Sequence, residues 1–325
     1  MMSVEIKTIG VLTSGGDAPG MNAAVRAVAR TAIYKGMRVF GIRKGYAGLL
    51  ANDMFEMNIR SVSEILHRGG TMLYTARCLE FNSREGVQKA KDICIKNGID
   101  GLVCIGGDGT FRGALDLSRA GIPCIGVPGT IDNDIGCTDY TIGYDTAINT
   151  AVEMIDKLRD TIQSHARCSV VEVMGNKVGF LAQNIGIACG ALMTLVPEIK
   201  YDLDRDVVER ILYTQRSGKT HFIIVMAEGC GSSQDVADFI QTRTGIETRV
   251  TVLGHVQRGG IPTARDRVMA TEMGHRAVEL LESGLGSRVV VYKHGEIMDF
   301  DIEEALAMSR SLDLSRFEMT KMISL

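Results

Sequence analysis

Short apolar runs that end in glycine-rich turns, each followed by helical periodicity, constrain this chain more than any other feature. Residues 6–12 form a β-type run, followed by Thr13-Ser14-Gly15-Gly16-Asp17-Ala18-Pro19-Gly20-Met21-Asn22. Ala24, Val25, Val28, Ala29, Ala32 and Ile33 then recur at helical spacing. Residues 101–105 run into Gly106-Gly107-Asp108-Gly109-Thr110 and a helix through Leu117. Further strands are expected at 38–42, 122–127, 169–173, 222–226, 249–253 and 288–292. Helices are expected from Ser83 to Asn97, from Ile148 to about Arg159, from Phe180 to about Cys189, at 207–212, from Ala264 to about Leu281 and at 302–308. Ser61-Val62-Ser63-Glu64 reads as a capping box opening a short helix, and 45–48 as a loop. This alternation predicts an α/β chain with mainly parallel sheets. Ligands in such folds lie beyond the carboxyl ends of strands, where both glycine turns, Met174, Glu228 and His255 fall.

The turns carry chemistry as well as geometry. Backbone N–H groups in a glycine turn, with a helix N-terminus behind them, favour an anion. No Gly-Lys-Ser/Thr follows the first turn, so it is not a Walker loop. The second turn places Asp108 among phosphate-facing amides, which is sensible if a cation lies between them. An Asp that only braces its own turn is the plainer alternative. The apolar run 122–127 leads into Pro128-Gly129-Thr130-Ile131-Asp132-Asn133-Asp134. If this segment is extended, Thr130, Asp132 and Asp134 share one face. One carboxylate can then act as a base while the other holds a metal shell, and an Asx-rich turn is again the plain reading.

Composition excludes several classes. The 325 residues are 45% hydrophobic and 23% charged, enough for two cores. A net charge of −3 gives no broad basic surface for nucleic acid, so any phosphate site must be local. No apolar run approaches the length of roughly 20 residues that a membrane helix needs. The N-terminus reads directly into a strand, without a signal peptide. The eight cysteines include no C-x-x-C pair, which argues against zinc and fits reduced thiols in a cytoplasmic protein. A break near Gly143, in a polar glycine-containing region, separates two strand–helix series.

Taken together, these motifs resemble the bacterial ATP-dependent 6-phosphofructokinase family. The resemblance rests on 15–22, Thr75-Ala76-Arg77, 106–110, 128–134, Ser164-His165-Ala166-Arg167, Glu172-Val173-Met174-Gly175 and the twelve residues 249–260, in order over nearly the whole chain. It implies two doubly wound, Rossmann-like α/β domains. Residues 1–143 with about 256–307 would bind ATP; 144–255 with about 308–325 would bind the sugar phosphate. It implies transfer of the γ-phosphoryl of ATP to the 1-hydroxyl of fructose 6-phosphate, a step of glycolysis. Asp132 would accept the hydroxyl proton with Thr130 close to the transferring group. Gly16 would cradle phosphates, and Arg77 would spread over the developing charge. Tyr46, Cys78, Gly107, Asp108, Gly109 and Thr110 complete the implied ATP site. Asp108 and Asp134 would hold Mg2+. Met174, Gly175, Asn176 and Glu228 would line the sugar site, while Arg167, Arg249, His255 and Arg258 would grip the 6-phosphate. In the family the equivalents of Arg167 and Arg249 come from a neighbouring subunit, which implies a homo-oligomer, a tetramer being expected.

Pyrophosphate-using relatives typically carry Asp at the position of Gly109 and Lys at that of Gly129, so this chain is expected to use ATP. Kinases of the NAD or diacylglycerol type also use Gly-Gly-Asp-Gly-Thr but lack the 128–134 motif and the His255-x-x-Arg258 pair. A degenerate paralogue that binds nucleotide or partners with an active subunit is the non-enzyme reading; Asp108, Asp132 and Asp134 are all present against it. The chain departs from the family at Asn176, where Arg is usual, and at Cys78, where an aromatic is common. Arg26, Arg30, Arg159 and Lys219 match the family's pocket for ADP or phosphoenolpyruvate. Ile59, Leu192 and Ser217 replace its usual Arg, Glu and Lys, so allosteric control is expected to be weakened or altered.

Overall fold

A computed structural model describes residues 6–324. In chain order the elements are β1 (Thr8–Thr13), α1 (Met21–Tyr34), β2 (Arg38–Ile42), α2 (Gly45–Leu50), β3 (Met54–Met57), α3 (Arg84–Lys96), β4 (Gly101–Gly106), α4 (Asp108–Arg119), β5 (Cys124–Pro128) and α5 (Tyr144–His165). They continue as β6 (Cys168–Val173), α6 (Phe180–Ala188), β7 (Met193–Leu195), α7 (Glu209–Arg216), β8 (Phe222–Ala227), α8 (Ser233–Thr244) and β9 (Thr248–Val252). The chain ends with α9 (Ala264–Glu282), β10 (Arg288–Lys293), β11 (Glu296–Asp301), α10 (Ile302–Ala307) and α11 (Leu314–Ile323). The chain divides into two compact units. The first comprises residues up to 131, 135–146 and 258–310; the second comprises 132–134, 147–257 and 311 onward. The chain passes between units at 146/147, three residues after the polar break at Gly143.

The first unit is built on a seven-stranded sheet in the order β11-β10-β5-β4-β1-β2-β3, parallel except for the antiparallel edges β3 and β11. β1 and β4 are buried at every residue, and β1 is apolar between its terminal threonines Thr8 and Thr13, as suits strands covered on both faces. On one face α1 and α9 lie close together. A Cβ at Gly274 of α9 would stand 2.8 Å from the Ala24 carbonyl of α1, so only glycine permits this approach. The second unit is a four-stranded parallel sheet in the order β7-β8-β6-β9. No described helix is long and apolar enough to cross a membrane.

Local structure departs from the sequence expectations where short elements rely on tertiary packing. Residues 45–50 are helical rather than a loop; Tyr46, Leu49 and Leu50 of this short helix are buried. The cap near residue 60 belongs to Asn58, whose side chain accepts from Arg60 and Ser61 N–H, while Ser61 Oγ accepts from Asn58 N–H. It opens only a 3-10 turn, and Glu64 sits at φ 58° instead of closing a box. α5 runs six residues past Arg159. The segment 130–134 is not a continuous extended strand. Asn133 is left-handed at φ 51°, which breaks the two-residue alternation expected to align Thr130, Asp132 and Asp134.

Candidate active site

The carboxyl ends of three neighbouring strands in the first unit bring the glycine turns together. Register pairs β1 with β4 and β4 with β5. Past the strand ends, Ser14 N–H donates to the Ile105 carbonyl at 2.9 Å and Gly129 N–H to the Gly106 carbonyl at 3.0 Å. Thr110 Oγ1 donates to the Ser14 carbonyl, tying the second turn to the first. A Cβ at Gly16 would collide with the Arg258 guanidinium, so this bare backbone lies directly beneath a cation. Arg258 Nη1 donates to the Asp17 carbonyl at 3.3 Å. Arg258 was expected with the 6-phosphate; the structure rests it on the glycine turn of its own unit.

Residues that sequence reasoning missed hold the Arg77 loop beside this turn. Thr75 Oγ1 donates to the Gly15 carbonyl at 2.6 Å. Thr13 Oγ1 donates to the Tyr74 carbonyl at 2.9 Å. The buried Asn22 amide donates to Arg68 and Gly69 carbonyls and accepts from Met72 N–H, fixing the start of the same loop. A buried Asn directly after a glycine turn was the available signal. Arg77 and Cys78 lie beyond these anchors. Tyr46, expected at the ATP site, is buried in the core of the first unit. It stacks on Phe81 at 4.1 Å, and its hydroxyl donates to the Thr110 carbonyl at 2.6 Å, bracing the start of α4. Burial pushes that phenol well above its ordinary pKa.

Asp108 is the first residue of α4 and is exposed, with Gly107 at the cap. Among the described residues no cluster of three His, Cys, Asp or Glu forms a metal cage. An exposed carboxylate at a helix mouth fits instead a hydrated divalent cation carried mainly by phosphate oxygens. Gly109 and Gly129, expected from the resemblance to bear on the choice of donor, differ in environment. A Cβ at Gly109 would meet nothing within 4 Å, so the space there is open. A Cβ at Gly129 would stand 3.1 Å from Met21 and 3.2 Å from Ile105, so a larger residue would press on the core.

The second unit gathers a different set. Glu228, just past β8, accepts from Gly175 N–H at 3.1 Å and Asn176 N–H at 2.7 Å, just past β6. Met174 N–H donates to Gln257 Oε1 at 2.8 Å. Asn176 stands at φ 57°, and its side chain points an N–H toward Asp134 Oδ2 at 3.5 Å. Asp132 is 8% exposed and Asp134 half-buried. His255 lies in the turn Gly254–Arg258 that follows β9.

Arg167 and Arg249 lie elsewhere. They sit at the amino ends of β6 and β9, and Glu247 holds both: Arg167 Nε donates at 2.7 Å and Arg249 Nη2 at 2.5 Å. These two cations lower the Glu247 pKa. The six residues of β6 separate this pair from the Met174 end of the same sheet by roughly 17–20 Å. The structure therefore does not bring Arg167 and Arg249 to Glu228 within one chain. Of the expected effector residues, Arg159 donates to the Cys189 carbonyl and caps the end of α6. Lys219 reaches the Ser324 carbonyl at 3.5 Å; burial, Arg159 and Arg210 lower its pKa. Arg26 is likewise lowered by burial and by Arg30. Leu192 is buried, Ser217 hydrogen-bonds the Thr214 carbonyl, and Ile59 is exposed.

A family model described as phosphofructokinase matches residues 8–281. The chain belongs to the phosphofructokinase family. It is 54% identical over 319 residues to an ATP-dependent 6-phosphofructokinase of Clostridium botulinum, covering 98% of this chain and 100% of that protein. A second ATP-dependent 6-phosphofructokinase, from Clostridioides difficile, is 54% identical over 320 residues with the same coverage. Among solved structures, a phosphofructokinase from Saccharomyces cerevisiae superposes with a TM-score of 0.88 at 36% identity. That match covers 98% of this chain and 48% of the yeast chain, so the chain spans about half the yeast chain's length. Both α/β units and their mainly parallel sheets are those of the family fold.

Proposed function

We propose that this protein is an ATP-dependent 6-phosphofructokinase that moves the γ-phosphoryl of ATP to the 1-hydroxyl of fructose 6-phosphate, giving fructose 1,6-bisphosphate. The observation that carries this reading is the 54% identity over the full length of curated ATP-dependent enzymes. The geometry supports it: phosphate-type turns converge on the first unit, and an acid–amide cradle occupies the second. Roles follow from placement. Gly15, Gly16 and Gly107 offer backbone N–H groups, and the mouths of α1 and α4 favour anionic phosphates. Thr110 and Tyr46 brace that surface. Arg77 and Arg258 meet the charge that develops as the phosphoryl leaves the donor. Asp132 takes the proton of the 1-hydroxyl, with Thr130 close to the moving group. Positioning and charge stabilisation do most of this work, so the base need not be strongly perturbed.

The family generally uses Mg2+, and Asp108 with Asp134 would hold it through water. When bound, Mg2+ neutralises charge on the donor phosphates. Glu228 shapes the sugar pocket indirectly by fixing the Gly175–Asn176 backbone, while Met174 and His255 face the sugar phosphate. Arg167 and Arg249, at the opposite end of the sheet, serve a neighbouring subunit's site in a homo-oligomer, a tetramer in our reading. A glycolytic enzyme of this kind works in the cytoplasm. The anchoring of Arg159 and Lys219 by carbonyls, with Leu192 in place of an acid, supports weakened control by ADP or phosphoenolpyruvate.

Open space at Gly109 leaves room for a nucleoside beyond the β-phosphate and favours ATP over pyrophosphate. The test is fructose 1,6-bisphosphate formation with either donor, with Asp132→Asn in parallel. Turnover with ATP alone, lost in the variant, is expected. Turnover with pyrophosphate alone overturns the donor assignment. Absence of turnover with both, in a folded oligomer, overturns the enzymatic reading.

A further inference from the structure

One buried acid in the first unit has no place in the chemistry above. Asp266, in the first turn of α9, is fully buried. Its carboxylate accepts from Tyr140 Oη at 2.5 Å, Gly143 N–H at 2.7 Å, Thr146 N–H at 2.8 Å and Thr146 Oγ1 at 2.5 Å. The start of α5 returns the arrangement. Thr146 Oγ1 accepts from Thr263 N–H at 3.0 Å, and Asp145 Oδ2 accepts from Thr263 Oγ1 at 2.7 Å. Two helix N-termini, each a partial positive charge, thus meet: Asp266 caps the start of α5 through the Gly143 and Thr146 N–H groups, and the Thr146 hydroxyl and Asp145 hold Thr263, the N-cap of α9.

What precedes each helix gives this latch its reach. Ahead of α5, Ile142 N–H donates to the Pro128 carbonyl at 2.9 Å, and Thr141 Oγ1 donates to the Thr130 carbonyl at 2.6 Å. The 138–142 strap therefore sets the backbone that carries Thr130. Ahead of α9 stands Arg258, resting on the Gly16 turn, with Gly260 packed against Gly69. A buried carboxylate that receives four donors is an expensive way to fill a core. Apolar packing would hold the helices together without specifying their register. Four directional bonds specify it.

We propose that Asp266 is a positioning residue for phosphoryl transfer: its carboxylate locks the strap behind Thr130 to the helix start behind Arg258, so that both keep one spacing at the phosphate turn. The proposal deepens the kinase reading and rests on it. Asp266 touches no substrate and acts through Thr130 and Arg258.

The test is steady-state kinetics on the full-length protein for Asp266→Asn and Thr146→Val, with Ile9→Val in the β1 core as a control for general destabilisation. Small misplacements of reacting groups cost up to about a hundredfold in rate, so kcat is expected to fall about 10- to 100-fold in both latch variants. KM for ATP and fructose 6-phosphate should stay within about threefold, because the binding turns keep their own anchors. Ile9→Val should lower the melting temperature and leave kcat within about twofold. If Asp266→Asn does not fold, Thr146→Val decides alone, since it removes one hydroxyl without changing side-chain size. Latch variants with parental kcat and only a lower melting temperature overturn the proposal while the kinase reading stands. A parent protein without turnover overturns the kinase reading and the proposal with it.

Discussion

Gly16→Ala separates the stability of the phosphate turn from its chemistry. Gly16 is not in the left-handed region, so Ala can adopt its backbone; what a Cβ meets is the far end of Arg258. The guanidinium must swing away and lose its 3.3 Å bond to the Asp17 carbonyl. That loss costs about 0.5–1.5 kcal/mol. Removing a glycine from the unfolded chain returns about 0.4–1 kcal/mol. The two nearly cancel, so the melting temperature should move by no more than about 4 °C for a chain of this size. Activity has no such cancellation. On the role proposed for Arg258, its displacement forfeits a charged contact with phosphate worth about 1.5–3 kcal/mol. At about 1.36 kcal/mol per decade, kcat/KM should fall about 10- to 150-fold. Arg258→Ala removes the same contact, so the double variant should be no worse than Arg258→Ala by more than about threefold. Coupled-enzyme kinetics and differential scanning fluorimetry on the four proteins complete the cycle. Losses that multiply would show that the added methyl group acts on the turn itself and not through Arg258. A large fall in melting temperature with unchanged kcat/KM would refute the stability argument.

Other outcomes follow from the same geometry. Asp132→Asn should lower kcat by about 10²- to 10⁴-fold with KM nearly unchanged, read by initial rates across a fructose 6-phosphate series. Burial pushes the thiols of Cys94, Cys168 and Cys230 up to about 12. Half-buried Cys78 should therefore be the thiol that a disulfide reagent modifies first in the native protein, and ATP should protect it; fast labelling of Cys94 would contradict the core packing. Burial also raises Asp266 above its ordinary 3.8, outweighing the hydrogen bonds from Thr146, Tyr140 and Gly143 that lower it. The folded state then holds the proton more tightly than the unfolded chain. Its contribution to stability is full below about the ordinary carboxylate pKa and is lost as pH rises through the higher folded value. Asp266→Asn should show a flatter melting-temperature profile than the parent over that interval, and parallel profiles would refute the sign. Phosphoenolpyruvate at millimolar concentration should move half-saturation for fructose 6-phosphate by less than about threefold, since Arg159 and Lys219 of the proposed effector pocket already contact carbonyls; a tenfold shift would refute the proposed weakening of control.

The strands most legible in the sequence are those buried on both faces. The runs around residues 10, 103, 125, 171 and 224 are continuous apolar stretches bounded by glycine or polar residues, and no helix of adequate length fits them. β3 and β11 escaped notice because they are antiparallel edges whose exposed faces break the apolar pattern. β11 returns from β10 through His294-Gly295, both with positive φ, and a His at the first turn position gives little warning. α11 has no coherent apolar stripe and had no periodicity to read. The site behaved similarly. That Gly16, Asp108, Met174 and Glu228 follow strands was readable because position after a strand is a local property. The burial of Tyr46 was not legible because it depends on Phe81 and Thr110, far away in the chain.

Asn176 and Asp266 mark the two ways in which sequence reading reached its end. Asn176 reads as a lost cation when only charge is considered, yet its backbone is left-handed, a conformation that Asn tolerates better than most residues. With its N–H on Glu228 and its amide turned toward Asp134, the residue suits the turn as a conformer, whatever charge it lacks as a ligand. Asp266 is the opposite case. Thr263-Ala264-Arg265-Asp266 announces only a helix cap, and the cap is real: Thr263 Oγ1 accepts from Asp266 N–H. The carboxylate's partners, Tyr140, Gly143 and Thr146, lie 126, 123 and 120 residues away. The local motif accounts for the backbone N–H alone and gives no sign of where the carboxylate goes. Buried acids that look like ordinary helix caps are therefore the positions in this fold where a structure adds most to a sequence.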